Sequence, residues 1–100
     1  MKKRTIIGAI SSVALAASLL TAGAAVATVV NPPEGGTWDY GVTPFTTVWS
    51  NYYHGSRTHG STACTGYPSC TRSADKAPGT WSYASRVPTL WGNTSYYRVS

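Results

Sequence analysis

The sequence predicts a small all-β protein, an antiparallel β-sandwich or barrel that follows an export signal. Residues 28–100 contain all twelve aromatic residues of the chain but only one leucine, Leu90, and no isoleucine. Helix formers are therefore scarce in this part and strand formers are abundant. Five or six short strand-like runs are separated by closely spaced turn residues, as in small antiparallel β domains.

The first 27 residues have the order of a secretory signal peptide. Residues 2–4 are cations, and an apolar stretch follows them up to Leu20. Two sequences of the small-x-small type come next, at residues 22–24 and 25–27. A permanent membrane anchor is the alternative, because residues 5–30 approach the length of a membrane-spanning helix. The many Ala, Ser and Gly residues favour cleavage, and hence a secreted bacterial protein without a membrane span.

These boundaries divide the chain into three parts. We expect a signal peptide over residues 1–27, a flexible lead-in over residues 28–36, and one β-sandwich domain over residues 37–100. The lead-in extends to residue 36 because Asn31-Pro32-Pro33-Glu34-Gly35-Gly36 is a cluster of turn formers. Cleavage is expected after Ala27, with Ala25 or Ala24 as alternatives.

The strand predictions rest on β-branched and aromatic residues between turn signals. We expect strands near residues 37–40, 46–54, 57–64, 80–86 and 95–99. The fourth strand alternates with period two, so that Trp81 and Tyr83 point to one face while Ser82 and Ala84 point to the other. We expect Trp38, Trp49 and Trp81 to be core residues.

Gly55-Ser56 matches the two-residue loop of a type II′ hairpin. This loop would pair His54 with Arg57 and Tyr52 with His59, and would turn Trp49, Asn51 and Tyr53 towards the core. One face of the hairpin would then carry a predicted ligand-binding set, Tyr52, His54, Arg57 and His59.

The chemistry of this set suits a phosphorylated or sugar-bearing ligand. Arg57 would be the fixed anion contact, and Tyr52 would be a stacking surface. An ordinary solvated hairpin face is the alternative.

Two cysteines in an exported protein predict a disulfide between Cys64 and Cys70, at the base of a short loop. Zinc binding by His54, His59 and these two cysteines is the alternative. Their spacing matches no common zinc pattern, so we predict no metal and no cofactor.

Charge and composition argue against two functional classes. Residues 28–100 carry a net charge of only +2, which disfavours tight nucleic-acid binding. Glu34, Asp39 and Asp75 are the only carboxylate side chains and have no paired spacing, and no nucleophile elbow is present. We therefore predict that the protein is not an enzyme.

Several short motifs stand out in residues 36–97: Gly36-Thr37-Trp38, Tyr40-Gly41-Val42, Ser50-Asn51-Tyr52-Tyr53-His54 with Arg57 and His59, Ala77-Pro78-Gly79-Thr80-Trp81 with Ala84, and Tyr96-Tyr97. Together they resemble the lactococcin 972 family of secreted bacteriocins. The resemblance implies a β-sandwich of two three-stranded antiparallel sheets. It also implies export by a cleaved signal and inhibition of septum formation by binding the cell-wall precursor lipid II, without pores. A membrane protein and an ABC transporter for immunity would be its partners.

Three functions remain in competition. The first is a secreted antibacterial protein that acts on the cell wall. The second is a non-toxic secreted binding or surface-interaction module, because an aromatic-rich β-sandwich alone does not decide function. The third is a membrane-permeabilising peptide, which the low charge and the lack of an amphipathic helix pattern disfavour.

The signal-peptide prediction can be tested by the intact mass of the protein in culture medium. We expect the mass of a chain that begins at Thr28, since residues 25–27 combine the small-x-small rule with a suitable distance from Leu20. A mass corresponding to residues 1–100 in the medium would contradict it.

Overall fold

A computed structural model describes residues 25–100, which form two antiparallel sheets and no helix. The all-β prediction is therefore confirmed. The seven strands are β1 (Val26–Val30), β2 (Thr37–Thr43), β3 (Thr47–His54), β4 (His59–Cys64), β5 (Cys70–Arg72), β6 (Thr80–Arg86) and β7 (Thr94–Val99).

One sheet has four strands in the order β1-β2-β3-β6, and the other has three in the order β5-β4-β7. The expected count of three plus three is corrected by β1, which pairs with β2 from Val26↔Val42 to Val30↔Trp38. Residues 28–30 of the predicted lead-in thus belong to a strand. The run Val-Ala-Thr-Val-Val has good strand propensity, but its first two residues lie in the predicted signal peptide and its last three in the predicted lead-in.

Most of the predicted signal peptide lies outside the described residues. Its predicted cleavage site after Ala27 falls within β1, where Ala27 pairs with Gly41. Cleavage there would leave Thr28 to Val30 paired with β2. The boundary stays a prediction.

The predicted hairpin between β3 and β4 is wrong. β3 pairs with β2 and β6, whereas β4 pairs with β5 and β7, so residues 55–58 cross from one sheet to the other. The cause is the His54 side chain, whose Nδ1 accepts hydrogen bonds from the backbone N–H groups of Ser56 and Arg57 at 3.2 and 3.1 Å. The chain turns around an imidazole instead of closing a two-residue loop. Gly55 accordingly has no positive φ.

The faces of β3 are also the reverse of the prediction. Val48, Ser50, Tyr52 and His54 are buried between the sheets, while the alternate residues, which include Trp49, lie on the outer face. Both faces of this strand carry aromatic residues, so apolar alternation alone could not identify the inner one. The alternation predicted for β6 is confirmed, with Ser82 and Ala84 buried.

The core consists of two apolar clusters between the sheets. Trp38, as predicted, is buried in the larger one, but Trp49 and Trp81 are only half-buried on the outer face. The larger cluster contains Trp38, Tyr40, Tyr52, Tyr97 and Val99, and the smaller contains Val48, Ala63 and Ala84.

Buried serines connect the two sheets by hydrogen bonds. Ser50 Oγ accepts from Trp38 Nε1 at 2.9 Å and donates to the Tyr96 carbonyl of the other sheet at 2.8 Å. Ser95 Oγ donates in the opposite direction to the Trp49 carbonyl at 2.9 Å. Within residues 25–100, no buried side-chain nitrogen or oxygen atom lacks a hydrogen-bond partner.

The predicted disulfide is confirmed. Cys64 and Cys70 are bonded, with their Cα atoms 4.1 Å apart, and they face each other at the end of the β4–β5 pair. The bond closes the loop of residues 65–69, as the sequence indicated.

Replacing Cys64 by Ala and Cys70 by Ser should lower the free energy of unfolding by about 2 kcal/mol, the loop-closure entropy of so small a ring. Ala suits the buried position and Ser the exposed one. Urea unfolding of the variant and the parent protein measures the difference. As a control, alkylation of the native protein without reductant should label no cysteine, and two labelled cysteines would contradict the disulfide.

Candidate functional site

Three of the four predicted ligand-binding residues come together, but in the interior of the protein. The Tyr52 ring lies 5.5 Å from the His59 ring and 6.1 Å from the His54 ring, measured between centroids. All three side chains are buried between the sheets. Arg57, in the connection from β3 to β4, is half-buried, and its Nε donates to the Ser100 main-chain oxygen at 2.9 Å.

His54 has one protonation pattern that satisfies its neighbours. Its Nδ1 accepts from the two backbone N–H groups of the connection, so it carries no proton. Its Nε2 lies 2.9 Å from the Glu34 carbonyl oxygen and must donate to it. The neutral Nε2–H form of His54 therefore attaches the segment before β2 to the crossing connection.

His59 faces two acceptors. Its Nδ1 lies 2.8 Å from the Arg57 carbonyl oxygen and its Nε2 lies 2.7 Å from the Thr80 carbonyl oxygen. A neutral imidazole can donate to only one of them, whereas the protonated ring satisfies both. Either way, His59 joins the start of β4 to the start of β6 across the sandwich.

Two tyrosine hydroxyls complete this buried group. Tyr52 donates to the Gly35 carbonyl at 2.6 Å, and Tyr97 donates to Glu34 Oε1 at 2.8 Å. Burial, with the Glu34 charge as the second cause, raises the pKa of Tyr52 to about 12, although Arg57 opposes the shift. Burial, followed by the hydrogen bond to Glu34, also raises the pKa of Tyr97.

The histidine and tyrosine group thus holds in place the backbone of the segment before β2 and of residues 55–58, which join β3 to β4. Ligand contact by these four residues stays a prediction, for which only Arg57 offers a partly exposed side chain.

The outer face of the four-stranded sheet carries a more accessible group of aromatic side chains. Tyr53 and Trp81 are cross-strand neighbours with ring centroids 5.6 Å apart, and Trp81 stacks with Tyr83 at 6.3 Å. Tyr83 is 65% exposed. We call the set Trp49, Tyr53, Trp81 and Tyr83 the outer aromatic face.

Polar groups lie within the same face. Asp39, Asn51 and Tyr83 occupy one row across β2, β3 and β6. Asp39 Oδ1 accepts from Trp49 Nε1 at 3.1 Å, and the carboxylate has capacity for further hydrogen bonds. Flat aromatic surfaces next to a carboxylate and an amide can bind the C–H faces and the hydroxyl groups of a sugar.

Gly41 explains the position of the Trp49 indole. A Cβ atom at Gly41 would lie 2.8 Å from Trp49 Cζ2 and 2.1 Å from the Val26 carbonyl oxygen. The absence of a side chain therefore lets the indole lie across β2, where it reaches Asp39. The sequence contains one signal for this face, the alternation of Trp81 and Tyr83 with Ser82 and Ala84. Trp49 and Trp81, predicted from the sequence to be core residues, lie on the outer face instead.

Other kinds of site have less support. Among residues 25–100, no group of three or more His, Cys, Asp and Glu side chains could hold a metal ion. No helix in the described part of the chain is long and apolar enough to cross a membrane.

The fold and these surfaces define a small disulfide-linked β-sandwich with a hydrogen-bonded interior and an aromatic outer face. The sequence model of one family, described as Bacteriocin (Lactococcin_972), matches residues 34–97. The chain therefore belongs to the lactococcin 972 family of bacteriocins, which confirms the resemblance found in the sequence. No curated protein and no solved structure matches it.

The buried tyrosines predict a loss of stability at alkaline pH. Because the folded-state pKa of Tyr52 lies above the ordinary value of 10.0, unfolding releases its proton between pH 10 and about 12. The free energy of unfolding should be unaffected by this group below pH 10, and should fall by about 1.4 kcal/mol per pH unit above it. Tyr97 acts in the same direction.

Urea midpoints between pH 9 and pH 11.5 measure this slope. The control is Tyr52→Phe, in which the slope should decrease by one proton's contribution. An equal slope in the variant and the parent protein would contradict the assignment to Tyr52.

Proposed function

We propose that the protein is a secreted antibacterial protein that blocks cell-wall synthesis at the septum by binding lipid II, and that it acts by binding and not by catalysis. Membership of the bacteriocin family supports the antibacterial part of this proposal. The single structural observation that supports a cell-wall ligand is the outer aromatic face with Asp39 and Asn51 beside it.

The chemistry of lipid II fits this surface in its sugar part. Pyranose rings present C–H groups that pack on aromatic rings, and hydroxyl groups that a carboxylate or an amide can bind. Asp39 is the charged side chain of this face. The other strand residues on the same face of β1, β2, β3 and β6 include no Lys, Arg or His. We therefore assign the outer aromatic face to the neutral sugars and not to the pyrophosphate.

Binding to liposomes with and without lipid II tests the proposal, with Tyr83→Ala as the variant. Loss of one stacking ring should weaken the binding that depends on lipid II by roughly five- to tenfold, and growth inhibition of Gram-positive cells should decrease in parallel. The control is Tyr96→Ala, which removes a half-buried tyrosine on the outer face of the other sheet.

The control should bind lipid II as the parent protein does. Equal losses in the two variants would remove the outer aromatic face from the proposal. Equal binding of the parent protein to liposomes with and without lipid II would overturn the target itself. If the tested Gram-positive cells grow at the full rate in the presence of the parent protein, the result would instead favour the non-toxic binding module.

A further inference from the structure

One end of the sandwich exposes a group of large apolar side chains. Seven such side chains are exposed among the described residues, and two of them, Val29 and Tyr83, lie on strands. The other five lie in three loops and are 56–80% exposed: Phe45, Tyr67, Val87, Leu90 and Trp91. We call these five residues the apolar end.

The strand registers place the three loops together. The β2–β3 turn closes at Thr43↔Thr47, and the next β3 residue, Val48, pairs with Arg86, the last residue of β6. Residue 87 therefore leaves its strand beside that turn. In the other sheet Cys64 pairs with both Cys70 and Thr94, so the loop of residues 65–69 and the end of residues 87–93 lie side by side.

Direct contacts join two of these loops. The backbone N–H of Gly66 donates to Thr89 Oγ1 at 2.8 Å. The Tyr67 and Trp91 rings meet edge to face at 5.7 Å. The two loops thus form one continuous surface in which the aromatic rings support each other while both stay exposed.

Phe45 occupies a position that neither its backbone nor its solvation favours. Thr46 N–H donates to the Thr43 carbonyl at 3.0 Å, and Pro44 and Phe45 are the central residues of this turn. Phe45 has a φ of 66°, where Gly or Asn is normal, and it is the one non-glycine residue with positive φ among residues 25–100. A bulky apolar side chain that is both strained and exposed indicates a role outside folding.

The charges at this end suit an anionic lipid surface. The three carboxylate residues, Glu34, Asp39 and Asp75, all lie outside these loops. Arg86, where β6 ends, is the one charged side chain at the bases of the three loops. Trp and Tyr also prefer the membrane–water interface, where an apolar ring and a polar edge can both be satisfied.

We propose that the apolar end inserts into the interfacial region of the anionic bilayer at the outer surface of bacterial cells. Insertion transfers side chains of three loops from water to the boundary between headgroups and acyl chains, and leaves both sheets outside the hydrocarbon. This attachment needs phospholipid only. It is therefore independent of the proposed recognition of lipid II.

Sedimentation with vesicles tests the proposal, using the protein recovered from culture medium. The vesicles contain phosphatidylglycerol and phosphatidylcholine and no cell-wall precursor. The parent protein should bind them, and Phe45→Gly combined with Leu90→Ser should weaken binding by at least roughly tenfold. Gly adopts the positive φ of position 45 without strain, and Leu90 is 80% exposed. The thermal midpoint of the double variant should therefore not fall below that of the parent protein.

Val29→Ser is the matched control, because it removes an apolar side chain of similar exposure, 64%, from strand β1. It should bind vesicles within twofold of the parent protein. The proposal is overturned if the parent protein does not bind, or if the double variant and Val29→Ser lose binding equally. Light scattering supplies another adverse outcome: a dimer that Phe45→Gly with Leu90→Ser dissociates, without vesicle binding, would assign the apolar end to a second copy of the chain.

Discussion

The structure depends on buried polar side chains that lie among the two apolar clusters, and each of these side chains must find a hydrogen-bond partner. Ser50, Ser61, Ser82 and Ser95 occupy inner positions that a larger sandwich would fill with aliphatic side chains. Leaving one such group without a partner costs about 1–3 kcal/mol, a large part of the stability of a small domain. The sheets are therefore connected by specific bonds such as Ser95 Oγ to the Trp49 carbonyl, which fix their relative position.

The same constraint explains the two histidines. Residues 55–58 cross from one sheet to the other, and the polar backbone groups at such a crossing cannot join a strand ladder. His54 accepts two of these N–H groups and His59 reaches the Arg57 carbonyl, so imidazoles replace the missing ladder. The two histidines, predicted from the sequence as members of a ligand-binding set, are thus part of the buried hydrogen-bond network. The inner residues of β6, Ser82 and Ala84, are small, and its aromatic residues, Trp81 and Tyr83, lie on the outer face.

The sequence allowed the strands to be located but not their pairing. Local signals placed β2, β3, β4, β6 and β7 within a few residues, because turn formers and β-branched residues act over short distances. The partner of β3 depended on whether Gly55-Ser56 or the His54 side chain shaped the turn, and only the tertiary structure decides this. The disulfide was predictable because its cysteines are six positions apart in the sequence and the loop between them is rich in turn formers. The outer aromatic face was not predicted, because a half-buried Trp and a core Trp have the same local pattern.

The two proposals together restrict how a membrane-bound ligand could lie on the protein. The eight residues of β3 extend for roughly 26 Å, with the Phe45 turn at one end and the Arg57 connection at the other. If the apolar end faces the bilayer, the outer aromatic face rises from it, with Trp49 nearest the lipid and Trp81 farthest. The pyrophosphate of lipid II would lie at the membrane surface, close to Arg86, whose Nη1 donates to Thr71 Oγ1. Arg57, the anion contact expected from the sequence, would lie at the end of the sandwich far from the lipid. This orientation therefore places the phosphate at the end opposite to Arg57.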